Sequence, residues 1–144
     1  MNLWTIVLNL VAAAMMRTIA GATPKARIFN STVAGVCFLV AWPPKAFGPM
    51  VNYYAGCPSG EAGAIYLKII EDPENTFTVD LEDEQTARRF NGFIDAARIS
   101  CQGVLKFGDT DMKKIIYEPT PKNETLEISI GLIQRTFTPG DCRY

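Results

Sequence analysis

The side chains able to do acid–base work in this chain are carboxylates, and they gather in two places. Asp80, Glu82, Asp83 and Glu84 lie within five residues, and Asp109-Thr110-Asp111 forms a second acidic pair. Two carboxyl groups facing each other across a cleft, with their pKa values held apart, are what glycoside hydrolysis requires. An extracellular carboxylate-dependent hydrolase built on Asp80–Glu84 is therefore the enzymatic reading. The competing reading of the same residues is a solvated turn with a helix N-cap. D-T-D offers oxygen ligands for Ca²⁺, but the spacing of an EF-hand loop is missing, and no metal or other cofactor is expected.

Histidine is absent from the chain. That excludes Ser-His-Asp and Cys-His nucleophile systems, histidine zinc sites and imidazole acid–base catalysis. No G-x-S-x-G, glycine-rich phosphate loop or H-E-x-x-H occurs. The balance of the chemistry points to a protein that binds and does not cleave. The segment A-W-P-P-K-A-F-G-P-M-V-N-Y-Y-A-G-C, residues 41–57, carries three prolines beside Trp42, Phe47, Tyr53 and Tyr54. Prolines lower the ordering cost of a loop, and large aromatic rings are favoured contact anchors. These four rings are the partner-binding candidates, and the alternative is that they complete a small core.

Cys37, Cys57, Cys101 and Cys142 make an even count without C-x-x-C spacing, which reads as two disulfides and disfavours a redox or zinc motif. Three connectivities are open. The preferred one joins Cys37 to Cys101 and Cys57 to Cys142, since anchoring Cys142 would pin a fraying terminus. A loop as long as that from Cys57 to Cys142 corresponds to roughly 4–5 kcal/mol in a chain-entropy treatment. Disulfides imply an oxidising compartment, and the N-terminus agrees. Leu3–Met16 is an apolar run too short to span a bilayer as a helix, followed by Ala20-Gly21-Ala22, the small-residue pattern of a signal-peptidase site. The reading is a signal peptide over residues 1–22 and one secreted domain over residues 23–144. Arg17, between the apolar run and the cleavage site, departs from the usual pattern.

Removing residues 1–22 takes away one basic side chain, Arg17, and leaves a formal charge of −2. Such a mixed, faintly acidic surface offers no footprint for a polyanion, so neither nucleic acid nor, once the signal is removed, a membrane is an expected partner. Asn30-Ser31-Thr32 and Asn123-Glu124-Thr125 are glycosylation sequons, with Asn123 the better placed in a polar turn.

The elements that must position these residues follow from periodicity. Leu126–Ile133 alternates, with Leu126, Ile128, Ile130 and Leu132 on one face, and Phe77–Leu81 alternates likewise. Residues 33–42, 64–70, 104–107 and 114–117 are further strand candidates. The E-P-T-P-K-N-E-T segment reads as a hairpin-like connection. One amphipathic helix is expected over about 84–99, capped by Asp83, with Ala87, Phe90, Ile94, Ala97 and Cys101 as its buried stripe. Gly92 within it suggests close packing on a neighbour. The predicted fold is α+β: a mainly antiparallel sheet packed against one central helix, in a single disulfide-stapled domain.

In format the chain resembles the small secreted effectors of plant-pathogenic fungi, which share a signal, a short mature domain and paired cysteines. Tyr54-Ala55-Gly56-Cys57 together with Cys142 is similar to the Tyr-x-Cys element and late cysteine of the ribonuclease-like effectors of powdery mildews, with one residue more in the spacing. The killer-toxin-like α/β sandwich is another compatible format. The resemblance implies a non-cleaving protein whose partner is a host or competitor protein or glycan.

Overall fold

The computed structural model describes residues 24, 27–43, 48–120 and 122–143. The expected signal peptide, its cleavage site and Phe47 lie outside the described residues. Eight strands follow one another around a closed antiparallel barrel: β1 (Ile28–Val33), β2 (Val36–Ala41), β3 (Met50–Cys57), β4 (Gly60–Glu71), β5 (Thr76–Val79), β6 (Lys114–Glu118), β7 (Thr125–Ile130) and β8 (Ile133–Pro139). A single helix, α1 (Glu84–Ser100), interrupts the meander between β5 and β6.

This corrects the expected sheet on a central helix. The barrel closes where β8 returns to β1, through Phe29–Pro139 and Asn30–Thr138. The helix lies beside β4. That strand pairs with β3 from Gly60 to Lys68, but with β5 only from Ile69 to Glu71. Along its first nine residues the free edge of β4 is covered by α1. Lys68 donates its backbone N–H to Thr86 Oγ1 at 3.1 Å, Arg89 Nη1 reaches the carbonyl of Ile65 at 3.4 Å, and Ser59 N–H reaches Ser100 O at 3.4 Å. Helix and strand thus run antiparallel, and Phe90, Phe93, Ile94 and Ala97 pass from the helix into the core.

The barrel is filled. Its inward residues are mostly apolar, including Phe29, Phe38, Leu67, Ile115, Leu126, Ile128 and Phe137, all essentially inaccessible. The outward partners on β5, β7 and β8 are polar: Thr76, Thr78, Glu127, Ser129, Gln134 and Thr136. That is the reverse of the apolar exterior of a membrane-spanning barrel. No described helix is long and apolar enough to cross a membrane. Trp42 plugs one end between Phe29 and Phe77, at ring-centre distances of 6.2 and 5.8 Å. Phe107, 6.0 Å from Phe38, enters from the other end on the connection between α1 and β6.

Three local expectations change. Residues 104–107 form no strand; they are the plug segment. The strand through Leu126 stops at Ile130, turns at Gly131-Leu132 and returns as β8, leaving Leu132 74% exposed and not in the core. Residues 50–57 are a strand, because Val51, Tyr53 and Ala55 alternate inward beneath the aromatic and glycine residues that obscure the pattern.

Both disulfides form, with a connectivity other than the preferred one: Cys37 bonds Cys142, and Cys57 bonds Cys101. Cys57 ends β3 and Cys101 caps α1, so that bond fastens the helix to the barrel. Cys37 points outward from β2 and secures the C-terminal tail to the outer wall. Arg143 lies 5.7 Å from the ring centre of Tyr54, so the tail crosses beside Leu39, the cross-strand partner of Tyr54.

Candidate functional site

Tyr53 and Tyr54, neighbours in the proposed binding surface, are sent to opposite faces of β3 by the strand pleat. Tyr53 points inward, 3% exposed, packs against Phe90 and Phe93, and donates its hydroxyl to Met112 O at 2.9 Å. It is a core residue, not a surface anchor. Trp42 is half-buried in its end plug. Tyr54 faces outward, under Arg143. Burial and the hydrogen bond and charge of Glu61 raise the phenol pKa of Tyr54, while Arg143 opposes them.

The acidic cluster at 80–84 does not converge on a cleft. Asp83 is the helix cap, accepting Thr86 N–H at 3.0 Å and pairing with Lys68 at 3.4 Å. Hydrogen bonds from Thr86, aided by Lys68 and opposed by burial, hold its carboxyl below the usual range. Asp80 accepts the N–H of Glu82, and Glu84 pairs with Arg88 one helical turn along. Among the described residues no group of carboxylate and cysteine side chains has the arrangement of a metal site.

A recess does exist elsewhere, between α1 and the connection into β6, with a volume of about 420 Å³. Such a volume suits a small ligand or one protruding group of a larger one. Helical spacing puts Phe90, Asn91, Ile94, Asp95 and Arg98 along one side, and Gly108, Asp109, Asp111 and Lys113 form the other. Phe90 and Ile94 are buried and make an apolar floor. The rim is charged and balanced. Arg98 bridges Asp95 at 3.9 Å and Asp109 at 3.6 Å, tying helix to loop. Both carboxylates are largely exposed, so water and salt screen these pairs and they yield readily to a ligand. The ammonium of half-buried Lys113 makes no ion pair among the described residues.

Asp111 has a different task. It is 1% exposed, and its two oxygens accept from Gly108 N, Ser129 Oγ, Gly131 N and Leu132 N. The expected D-T-D pair is therefore split: Asp109 stands in solvent on the rim, and Asp111 is a buried brace that fixes the groove wall. Sequence reasoning missed Arg98, Lys113 and Asp95. Only the position of Arg98, in the last turn of the helix, was visible.

The sequons are also unlike each other. Asn30 is half-buried in β1 and donates to Thr138 O at 3.2 Å, whereas Asn123 is exposed in the β6–β7 connection.

Fold and site together define a disulfide-stapled, eight-stranded antiparallel β-barrel with an edge-covering helix and a charged groove. No protein-family model, no curated protein and no solved structure matches the chain. The closed barrel also departs from the killer-toxin-like α/β sandwich.

Proposed function

We propose that the chain is a secreted binding protein that engages a host or competitor macromolecule, protein or glycan, through the groove between α1 and residues 108–113. The observation carrying this reading is the composition of that groove: an apolar floor of Phe90 and Ile94 inside a charge-balanced rim of Asp95, Arg98, Asp109 and Lys113. Such a rim selects by charge pattern and orientation. The two disulfides suit an extracellular protein. The effector-type role rests on the resemblance in format.

The test compares the wild type with Arg98→Glu/Lys113→Glu as bait for extracellular proteins and glycans of candidate hosts and competitors. Capture that saturates with the wild type and weakens at least about tenfold in a folded double variant supports the groove. Equal capture by both moves the site elsewhere. Turnover of a glycan or peptide substrate that Asp95→Asn or Asp109→Asn abolishes would replace the binding reading with a hydrolase.

A further inference from the structure

The barrel is closed between β1 and β8 by two residue pairs. Among the described residues, β8 from Ile133 to Phe137 pairs with β7 alone, and β1 from Ser31 to Val33 pairs with β2 alone. The two strands therefore flank a seam. Register determines what faces into it. Arg135 lies opposite Ile128, and Ser31 opposite Phe38. Ile128 and Phe38 are fully buried, and cross-strand partners share a face of the sheet. Arg135 and Ser31 thus point inward from the two sides of the seam, each still partly reached by solvent. Ile133, on the same face as Arg135, is 55% exposed, so the inner face of β8 opens to water at this end.

Arg135 is chemically out of place there. Its Nε is buried without an acceptor, and its guanidinium forms no ion pair among the described residues. Glu127, on the adjacent strand, lies on the outer face and accepts from Thr136 at 2.6 Å. A buried guanidinium donor without an acceptor is costly, and among the described residues no anion offsets the cost.

We propose that the β1/β8 seam binds a small amphipathic carboxylate, with Arg135 as its charged anchor. The guanidinium fork matches the two oxygens of a carboxylate. The Ser31 hydroxyl adds a donor from the facing strand, and exposed Ile133 offers apolar surface to the chain that carries the headgroup. The site is separate from the α1 groove, and neither proposal depends on the other.

The experiment is an NMR titration of the ¹⁵N-labelled full chain with octanoate, alongside acetate and octyltrimethylammonium. Octanoate is expected to shift amides at 31–33 and 133–137 saturably, more tightly than acetate, while the cation gives no saturable shift there. A charge-assisted hydrogen bond to a carboxylate makes Arg135→Gln weaken octanoate at least about tenfold. Arg98→Glu, in the other groove, is expected to bind octanoate like the wild type. The proposal is overturned by a non-saturable response, by equal binding of the cation or acetate, by weakened binding in Arg98→Glu, or by unchanged affinity in Arg135→Gln. If Arg135→Gln does not fold, unchanged affinity in both Ser31→Ala and Ile133→Ser overturns it as well.

Discussion

Asp111 Oδ1 accepts the backbone N–H of Leu132 at 3.2 Å, across 21 residues of sequence. Oδ2 of the same carboxylate accepts Gly131 N–H at 2.7 Å and Gly108 N–H at 2.8 Å, and Ser129 donates to Oδ1 at 3.0 Å. One side chain thereby ties the segment after α1 to the β7–β8 turn and holds the groove wall in place. Asp111→Ala strands these buried donors and should lower stability by at least about 3 kcal/mol in urea denaturation. Asp111→Asn should also destabilise, because each oxygen serves two donors and an amide NH₂ in either place faces donors. A loss below about 1 kcal/mol in both variants would remove Asp111 from this role.

The turn that Asp111 grips carries strain. Gly131 and Leu132 both have φ of 65°, a left-handed pair suited to a two-residue hairpin but unfavourable for leucine. Leu132 recovers little by packing, being 74% exposed. Leu132→Gly should raise stability by about 0.5–1 kcal/mol, the relief of strain exceeding the added flexibility of the unfolded chain. A lower midpoint in the same denaturation experiment would mean that the leucine side chain supports the loop at Gly108.

Gly92 was expected to sit against a close neighbour, but it is exposed, and a Cβ built there meets nothing within 4 Å. The only term left is helix propensity, so Gly92→Ala should stabilise the protein by about 1 kcal/mol. Thermal unfolding checks this directly, and destabilisation would reveal a contact on that helix face.

What was legible in the sequence was local. The helix followed from the Asp83 cap and the spacing of Phe90, Ile94 and Ala97, although Phe93, between two of them, escaped the stripe. The strands through Phe77 and Ile128 followed from alternation, and the strand through Ile115 from its β-branched and aromatic residues. Closure was not legible, because it depends on Phe29 meeting Pro139 and Asn30 meeting Thr138, more than a hundred residues apart. The closing strand also disguises itself: Arg135 breaks the apolar face between Ile133 and Phe137, so Q-R-T-F-T-P does not read as half-buried. The groove was hidden for a similar reason. Arg98 and Asp109 belong to different segments, and only the barrel geometry brings them to 3.6 Å.

The disulfide connectivity gives a covalent test of the fold. Proteolysis without reductant should yield one peptide pair containing Cys37 and Cys142 and another containing Cys57 and Cys101. Recovery of Cys57 with Cys142 would contradict the barrel as described. The closed loops span 105 and 44 residues, and chain entropy assigns them about 4.7 and 4 kcal/mol. Removing either pair as a Cys→Ser double variant should therefore cost on the order of 4 kcal/mol. Only loss of Cys57–Cys101 should unfasten α1, which raises amide exchange along residues 84–100 beyond that of the rest of the chain.

The two buried phenols predict an alkaline limit to stability. Burial raises Tyr53 far above an ordinary tyrosine, and burial with the hydrogen bond and charge of Glu124 pushes Tyr117 up to about 12. In the unfolded chain both ionise near pH 10. A folded pKa above the unfolded value means that the contribution is fully present below about pH 10 and declines as pH rises through the folded value. Stability should therefore hold to about pH 10 and fall between about 10 and 12 as the unfolded state gains phenolates that the native state resists. Tyr117→Phe removes one ionising group from that window, so its stability should decline less steeply there, although it loses the 2.7 Å hydrogen bond to Glu124 at neutral pH. Tyr53→Phe should start lower, by about 1–3 kcal/mol, because Met112 O loses its buried donor. Denaturant midpoints measured against pH for the wild type and both variants decide the matter. Parallel curves for wild type and Tyr117→Phe between pH 10 and 12 would show that this phenol is not protected in the native barrel.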